Sequence, residues 1–263
     1  MIALKRGVAL TINHGAGNCL RWGPANGVSL SENTVVLWVT LGGGIDRGSG
    51  FVVNIFDIDE ALREALAAQE VTVETGWEVL AWGRKVLCRK FLEQKVLELR
   101  LAVHENLSFS QVLEEREMIQ VTKRYELAAA HRLFNPDWDE ARNREVFGKC
   151  NNAEGHGHNY LVELTLGGDP DPESGTFVDM KAVDEIVEAV LLDRFDHKFL
   201  NRETEEFSRL NPTVENMAKV FWELLIGRFE GAETMKVGVW ETDRTYAEYA
   251  GPAVGDLRYG ENV

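Results

Sequence analysis

Cysteine is scarce in this chain: Cys19, Cys88 and Cys150 are the only three in 263 residues. An odd number spread so widely excludes a disulfide framework and fits a reducing compartment. No apolar run approaches the roughly 20 residues that a membrane-spanning helix needs. The N-terminus, MIALKRGVALTINHGAGN, shows neither the hydrophobic stretch nor the cleavage site of a secretory leader. The expectation is a cytoplasmic protein with no membrane partner. Positive charge is also in deficit, with 28 Lys and Arg against 43 Asp and Glu and a net charge of −15. Nucleic acid would be repelled over most of such a surface. An anionic small molecule would need a local basic site, and Arg132, Arg142, Arg144, Lys149 and Lys198 all lie near the motifs below. Neither a GxGxxG nor a Walker sequence occurs, so nothing points to a nicotinamide or nucleotide cofactor.

What is present is globular composition, 44% hydrophobic and 27% charged, in a chain long enough for two ordinary domains. An internal repeat sets their plan. Thr40-Leu41-Gly42-Gly43 falls opposite Thr165-Leu166-Gly167-Gly168 at an offset of 125 residues. The offset holds through Asp46 and Asp171, Ser49-Gly50 and Ser174-Gly175, Val53 and Val178, and Asp59-Glu60 and Asp184-Glu185. Further on, Thr75 to Phe91 reads like Thr213 to Phe229 at an offset of 138. Each copy reads as strand, strand, helix, helix, strand, strand, an α+β layering of sheet against helices. In the second copy the expected strands are 119–130, 159–166, 236–241 and 245–249, and the expected helices are 181–192 and 213–228. Thr213 is suited to cap the second helix, with Glu215 in its first turn. The expected domains are 1–115 and 116–263, joined by a tight turn near Glu114–Glu117.

Four of the six histidines lie in the second copy. His156 and His158 are two apart at the start of an expected strand, so their imidazoles share a face, and Gly157 removes bulk between them. His131 ends the preceding strand, where a neighbouring antiparallel strand could bring it alongside. Three imidazoles with a fourth position open are the arrangement of a catalytic zinc; an HxH pair alone also occurs on ordinary surfaces. Cys150 sits six residues before His156 in GKCNNAEGH, a loop rich in Gly and Asn beside Lys149. A nearby cation or metal would lower its pKa from about 8.5, making it a base or nucleophile, with a fourth zinc ligand as the competing role. Asp196-His197 follows the first helix in LLDRFDHKFLN, where a helix-capping histidine is the plainer alternative. Glu241 ends a strand, and its carboxylate could accept the paired N–H groups of a 2-amino-4-oxo pyrimidine edge or simply be a solvated turn residue.

AAAHRLFNPDWDEARNREVFGKCNNAEGHGHNY, followed by FVDMKAVDEIV, LDRFDHKFLN, NPTVENMA and VWETD, resembles the 6-pyruvoyl-tetrahydropterin synthase family along the whole second copy. The resemblance implies the tunnelling fold (T-fold), in which four-stranded antiparallel sheets, each with two helices on one face, join into a β-barrel oligomer with active sites at subunit interfaces. It implies zinc on His131, His156 and His158, a catalytic group of Cys150, Asp196 and His197, and pterin binding by Glu241 with Thr213 and Glu215. The substrate it implies is 7,8-dihydroneopterin triphosphate, taken to 6-pyruvoyl-tetrahydropterin. The related 6-carboxytetrahydropterin synthases of the queuosine pathway act on the same substrate but usually carry C-x₃-H-G-H. Here the spacing is C-x₅-H-G-H.

The first copy departs from this pattern. Its offsets put Ala25, Ser31 and Asn33 where Cys150, His156 and His158 stand, and Asn18 is read in the place of His131. Glu105 is read opposite Glu241, while His14 and His104 are not expected to be ligands. The first copy is thus expected to be a structural repeat without catalytic residues, and the tandem is expected to assemble as two or three chains.

Overall fold

The computed structural model describes residues 2–11, 20–22, 28–30, 34–46, 49, 51–68, 76–112, 118–171 and 174–252. These form two compact units. The first comprises residues 1–122 with 167–181 and 231–233, and the second comprises 123–166, 182–230 and 234–263.

In the first unit β1 (Ile2–Thr11), β4 (Thr34–Gly43), β5 (Lys95–His104) and β6 (Leu107–Val112) lie in that order, each pair antiparallel. The short strands β2 (Leu20–Trp22) and β3 (Val28–Leu30) pair with each other. Burial along β4 has a period of two: Val35, Leu37, Val39 and Leu41 are buried, while Trp38 is exposed. That face meets α1 (Ile55–Ala68) through Ile58 and Leu62, and α2 (Gly76–Lys90) through Val79, Leu80 and Leu87. Gly83 permits the close approach of α2, since a Cβ there would stand 2.9 Å from Leu37.

The second unit repeats the plan. It contains β7 (Met118–His131), which begins in the first unit, then β8 (His156–Gly168), β10 (Thr234–Thr242) and β11 (Thr245–Tyr249) in that order. Between β7 and β8 lie α3 (Glu140–Phe147) and a 3₁₀ turn at Gly148–Asn151. Helix α4 (Met180–Val187) runs on through a π-helical stretch, Glu188–Leu192, into α5 (Asp193–Phe195). Then follow β9 (Lys198–Phe199), parallel to Ala129–Ala130, α6 (Leu200–Glu203) and α7 (Val214–Leu225). Tyr160, Phe195, Phe207 and Phe221 are fully buried, and burying one such side chain is worth about 1.5–3 kcal/mol.

The strands and both long helices of the second copy fall where periodicity put them. Helix α3 was not expected. It is almost wholly polar, so it offers no apolar stripe, yet Asp139 caps it by accepting from the Arg142 N–H at 2.8 Å.

The repeat is legible in detail. Asp46 accepts from Ser49 N–H at 2.7 Å and its hydroxyl at 2.8 Å; Asp171 accepts from Ser174 at 2.8 and 3.0 Å. Arg6 on the first strand of copy one grips Asp59 on its first helix, and Lys123 grips Asp184 in copy two. The readings of His14, Asn18, Cys19, Ala25, Ser31 and Asn33 lie outside the described residues. One sequence alignment needs correction. The last hairpins close at His104 with Leu107 and at Thr242 with Thr245, an offset of 138, so Val103 stands opposite Glu241 and Glu105 is an exposed turn residue.

Candidate functional site

The site grows out of strand alternation. Toward the end of β7 the buried positions are Leu127, Ala129 and His131; on β8 the series His156, His158, Tyr160, Val162 and Leu164 shares one face; on β10 Val237, Val239 and Glu241 do the same. The core therefore runs out, at one end of three strands, into three imidazoles and a carboxylate. Gly155 makes the approach possible. Its φ is +72°, and a Cβ would stand 2.3 Å from the Phe199 ring and 2.9 Å from the His131 carbonyl. Gly157 is not needed for bulk in the way its position between two histidines suggests, because a Cβ there meets only Ala129 O at 3.6 Å.

Ligand atoms of His131, His156 and His158 lie within 4.8 Å of one another, so the three residues could hold a metal ion. His131 is fully buried, and its Nδ1 lies 2.8 Å from the Pro212 carbonyl, which fixes Nδ1 as the protonated nitrogen and leaves the Nε2 lone pair facing inward. That Nε2 stands 3.2 Å from His156 Nε2, while His158 Nε2 is buried with no hydrogen-bond partner. Converging lone pairs and an orphaned buried nitrogen are what a cation would satisfy. Burial, with a smaller contribution from the other two imidazoles, pushes the His131 pKa down to about 4, against the opposing pull of Pro212; burial also lowers that of His158. Neutral imidazole is the ligand form.

Glu241 Oε1 lies 3.5 Å from His158 Nε2 and 3.7 Å from His131 Nε2, so this carboxylate stands at the histidine cluster itself. Cys150 is half-buried; burial first, and then the Glu241 charge, push its thiol pKa up. Tyr160 completes the group, fully buried with its hydroxyl 3.2 Å from His131 Nδ1. Its place at i+4 from His156 was readable as the same face, although sequence reasoning passed over it.

Asp196 and His197 are contributed by the segment that follows α5. Asp196 accepts from the Ala128 N–H at 2.8 Å and lies 2.7 Å from His197 Nδ1; burial opposes ionisation, but those bonds hold its carboxyl below the ordinary range. His197 has φ of +56°, a costly conformation for a non-glycine residue, and its side chain is 82% exposed. It lines a cavity of about 490 Å³ together with the ligand candidate His158 and with Ala128, Gly157, Asn159 and Lys198, while Cys150, His131 and His156 are not in that lining. Thr213 accepts from the Asn216 N–H as the cap of α7, and Glu215 is exposed in its first turn. Of the basic residues, Arg132 binds Asn151, Arg142 covers the Trp138 ring and Arg144 pairs with Glu140.

Comparison with known proteins follows the second copy. The 6-pyruvoyl tetrahydropterin synthase family model matches residues 120–252. The 6-pyruvoyl tetrahydrobiopterin synthase of Drosophila melanogaster is 36% identical over 141 residues, covering 53% of this chain and 84% of that protein. The Homo sapiens protein of the same name is 35% identical over 132 residues, covering 50% and 91%. Over nearly the whole chain, the crystal structure of a highly active BTUO mutant superposes with a TM-score of 0.51 at 11% identity, covering 95% of this chain and 99% of that one, which is a likeness of fold alone. With a matching second copy and a first that keeps the scaffold without the motif, the chain belongs to the 6-pyruvoyl tetrahydropterin synthase family, as a tandem of one degenerate and one intact T-fold copy.

Proposed function

We propose that the chain is a zinc-dependent lyase that converts 7,8-dihydroneopterin triphosphate to 6-pyruvoyl-tetrahydropterin with loss of triphosphate. One observation carries the reading: the three imidazoles converge beside a thiol and a carboxylate at the end of a family-specific motif. His131, His156 and His158 would hold the zinc, which when bound supplies Lewis acidity toward the substrate's side-chain oxygens. Cys150 and the Asp196–His197 pair move protons at the side-chain carbons, with Asp196 holding the imidazole by its Nδ1. Glu241, beside the ligands, would anchor the pterin ring, with Thr213 and Glu215 at the start of α7 in support.

The site is read as lying at an interface between subunits, with His197 and the ligand candidate His158 lining one cavity. Among the described residues, β1 pairs only with β4 and β11 only with β10, so a free edge remains on each. Two chains closing a ring of four copies, or three chains building two stacked rings of three, would satisfy those edges, with domains 1–115 and 116–263 as the repeating pieces. Light scattering tests this: a fully active monomer of 29.6 kDa would rule it out.

The reaction is tested by incubating the zinc-loaded protein with dihydroneopterin triphosphate and identifying products by mass spectrometry. A pyruvoyl pterin with released triphosphate is expected. A carboxy pterin with acetaldehyde would place the chain with the queuosine-pathway enzymes instead, and no turnover by metal-loaded protein would make it a binding protein.

A further inference from the structure

Besides β8 and β10, three segments bring candidate groups to the site: the end of β7, the 3₁₀ turn that carries Cys150, and the stretch from Asp196 through α6. A single pair of residues ties all three. Just past the ligand His131, the Arg132 N–H donates to Asn201 Oδ1 at 2.8 Å, and Asn201 Nδ2 donates back to the Arg132 carbonyl at 3.0 Å. This side-chain amide extends the pairing that β9 makes with Ala129–Ala130 beyond the point where β9 itself ends. The Arg132 side chain turns the other way. Its Nε donates to the Asn151 carbonyl at 3.2 Å and its Nη2 to Asn151 Oδ1 at 3.1 Å, with the guanidinium 4.6 Å over the Phe134 ring. The Leu133 N–H donates to the Cys150 carbonyl at 2.8 Å.

Cys150 is therefore held at its own carbonyl and at the residue after it, from the strand end that bears a candidate metal ligand. The turn that carries it spans four residues, too short to define its own position. Asn151 is buried, so its oxygens need protein donors, and the planar fork of Arg132 meets both of them. A lysine, with one nitrogen, cannot reproduce that geometry.

We propose that Arg132 and Asn201 are positioning residues that fix the Cys150 thiol relative to the histidine cluster, and that Arg132 spends its charge on this rather than on an anionic substrate. The proposal rests on the catalytic role given to Cys150 above, but its main readouts need no substrate. The test uses the zinc-loaded full chain with Arg132→Lys and Asn201→Ala. Alkylation of Cys150 by iodoacetamide is followed by peptide mass spectrometry, with the exposed Cys88 as internal reference. Expected are alkylation of Cys150 faster by about 10-fold, unchanged Cys88, unchanged zinc stoichiometry, and kcat lower by roughly 10- to 100-fold with KM little altered. Asn201→Asp, which keeps the acceptor for the Arg132 N–H, should recover part of the loss. Unchanged Cys150 reactivity in both folded variants would overturn the proposal, as would zinc loss in step with the change, or failure of both variants to fold, since either makes the pair plain scaffold. An inactive parent protein would sink the pterin reaction and leave the alkylation test standing.

Discussion

The two copies of one fold in this chain differ in what they have kept. The Asp-Ser turns at Asp46 and Asp171, a strand-to-helix ion pair (Arg6–Asp59 and Lys123–Asp184) and the closure of the last hairpin are shared. The chemistry is not shared: Val103 stands where Glu241 does, and residues 31 and 33 are serine and asparagine where the intact copy has its HxH pair. The shared features fix how strand, helix and turn meet, and each contributes a modest increment to the scaffold. The lost ones sit at strand ends and in connections, where substitution leaves the core untouched.

The comparison breaks most sharply at the histidine cluster. His156→Ala should abolish most metal binding and turnover while leaving thermal unfolding of the metal-free protein nearly unchanged, because the ligands lie where the core ends. Metal stoichiometry by elemental analysis decides it, and full occupancy in the variant would remove the site from the intact copy. Cys150→Ala should keep the metal and lower kcat by roughly 10²–10⁴-fold, the usual worth of a proton-transferring group. Metal loss in that variant would make the thiol a fourth ligand and the site a closed, structural one.

Gly155→Ala comes next, and it probes how the intact copy brings its histidines together. The methyl group would meet the Phe199 ring and the His131 carbonyl in a backbone conformation that alanine resists, so a loss of about 2–4 kcal/mol is expected, with weaker metal binding. Gly157→Ala, two residues on, should cost far less, and calorimetry of the pair separates strain from a general intolerance of the loop.

Much of this was legible in the sequence, and the exceptions have physical causes. Period-two and period-3.6 patterns gave the strands and long helices of the second copy, and the spacing of His131, His156 and His158 brought them to one point. Helix α3 escaped because it is stabilised by a cap and by Asn143, whose amide bonds to the Asn135 and Trp138 carbonyls, rather than by an apolar face. The roles of Gly155 and Gly157 were indistinguishable in the motif, since only φ and the position of Phe199 tell them apart. That His197 shares a cavity with His158 depends on where a distant segment meets β7 and β8, and no local pattern encodes that.

Acid should expose the histidine cluster in the metal-free protein. Burial lowers the pKa of His131 to about 4 in the fold, against an ordinary value of 6.5. The unfolded chain therefore binds more protons between those values, and stability is full above about pH 6.5 and declines as pH falls toward 4. The effect is at most about 3 kcal/mol. Denaturant midpoints measured across that window check it, and His131→Gln should flatten the slope. Metal should flatten it too, until acid strips the ligands.

The smallest effect concerns the scaffold that both copies share. Asp59 meets Arg6 at 2.6 and 2.9 Å, and Asp184 meets Lys123 at 2.6 and 2.7 Å, yet the two aspartates are not equivalent. Asp184 also accepts from the Tyr125 hydroxyl at 2.9 Å, and Tyr125 is largely buried, its pKa pushed up first by that burial and then by Asp184. Asp59→Ala therefore removes a partly exposed ion pair, worth about 0–1 kcal/mol. Asp184→Ala removes a similar pair and also strands a buried hydroxyl, which adds about 1–3 kcal/mol. The Arg6 hydrogen bond holds the Asp59 carboxyl below its ordinary value, so that contribution is present above about pH 4 and is lost as pH falls through the lowered value. Adding Tyr125→Phe to Asp184→Ala should recover most of the difference between the copies. Urea midpoints for the two single variants and the double variant settle it, and equal costs at Asp59 and Asp184 would show that Tyr125 finds another acceptor.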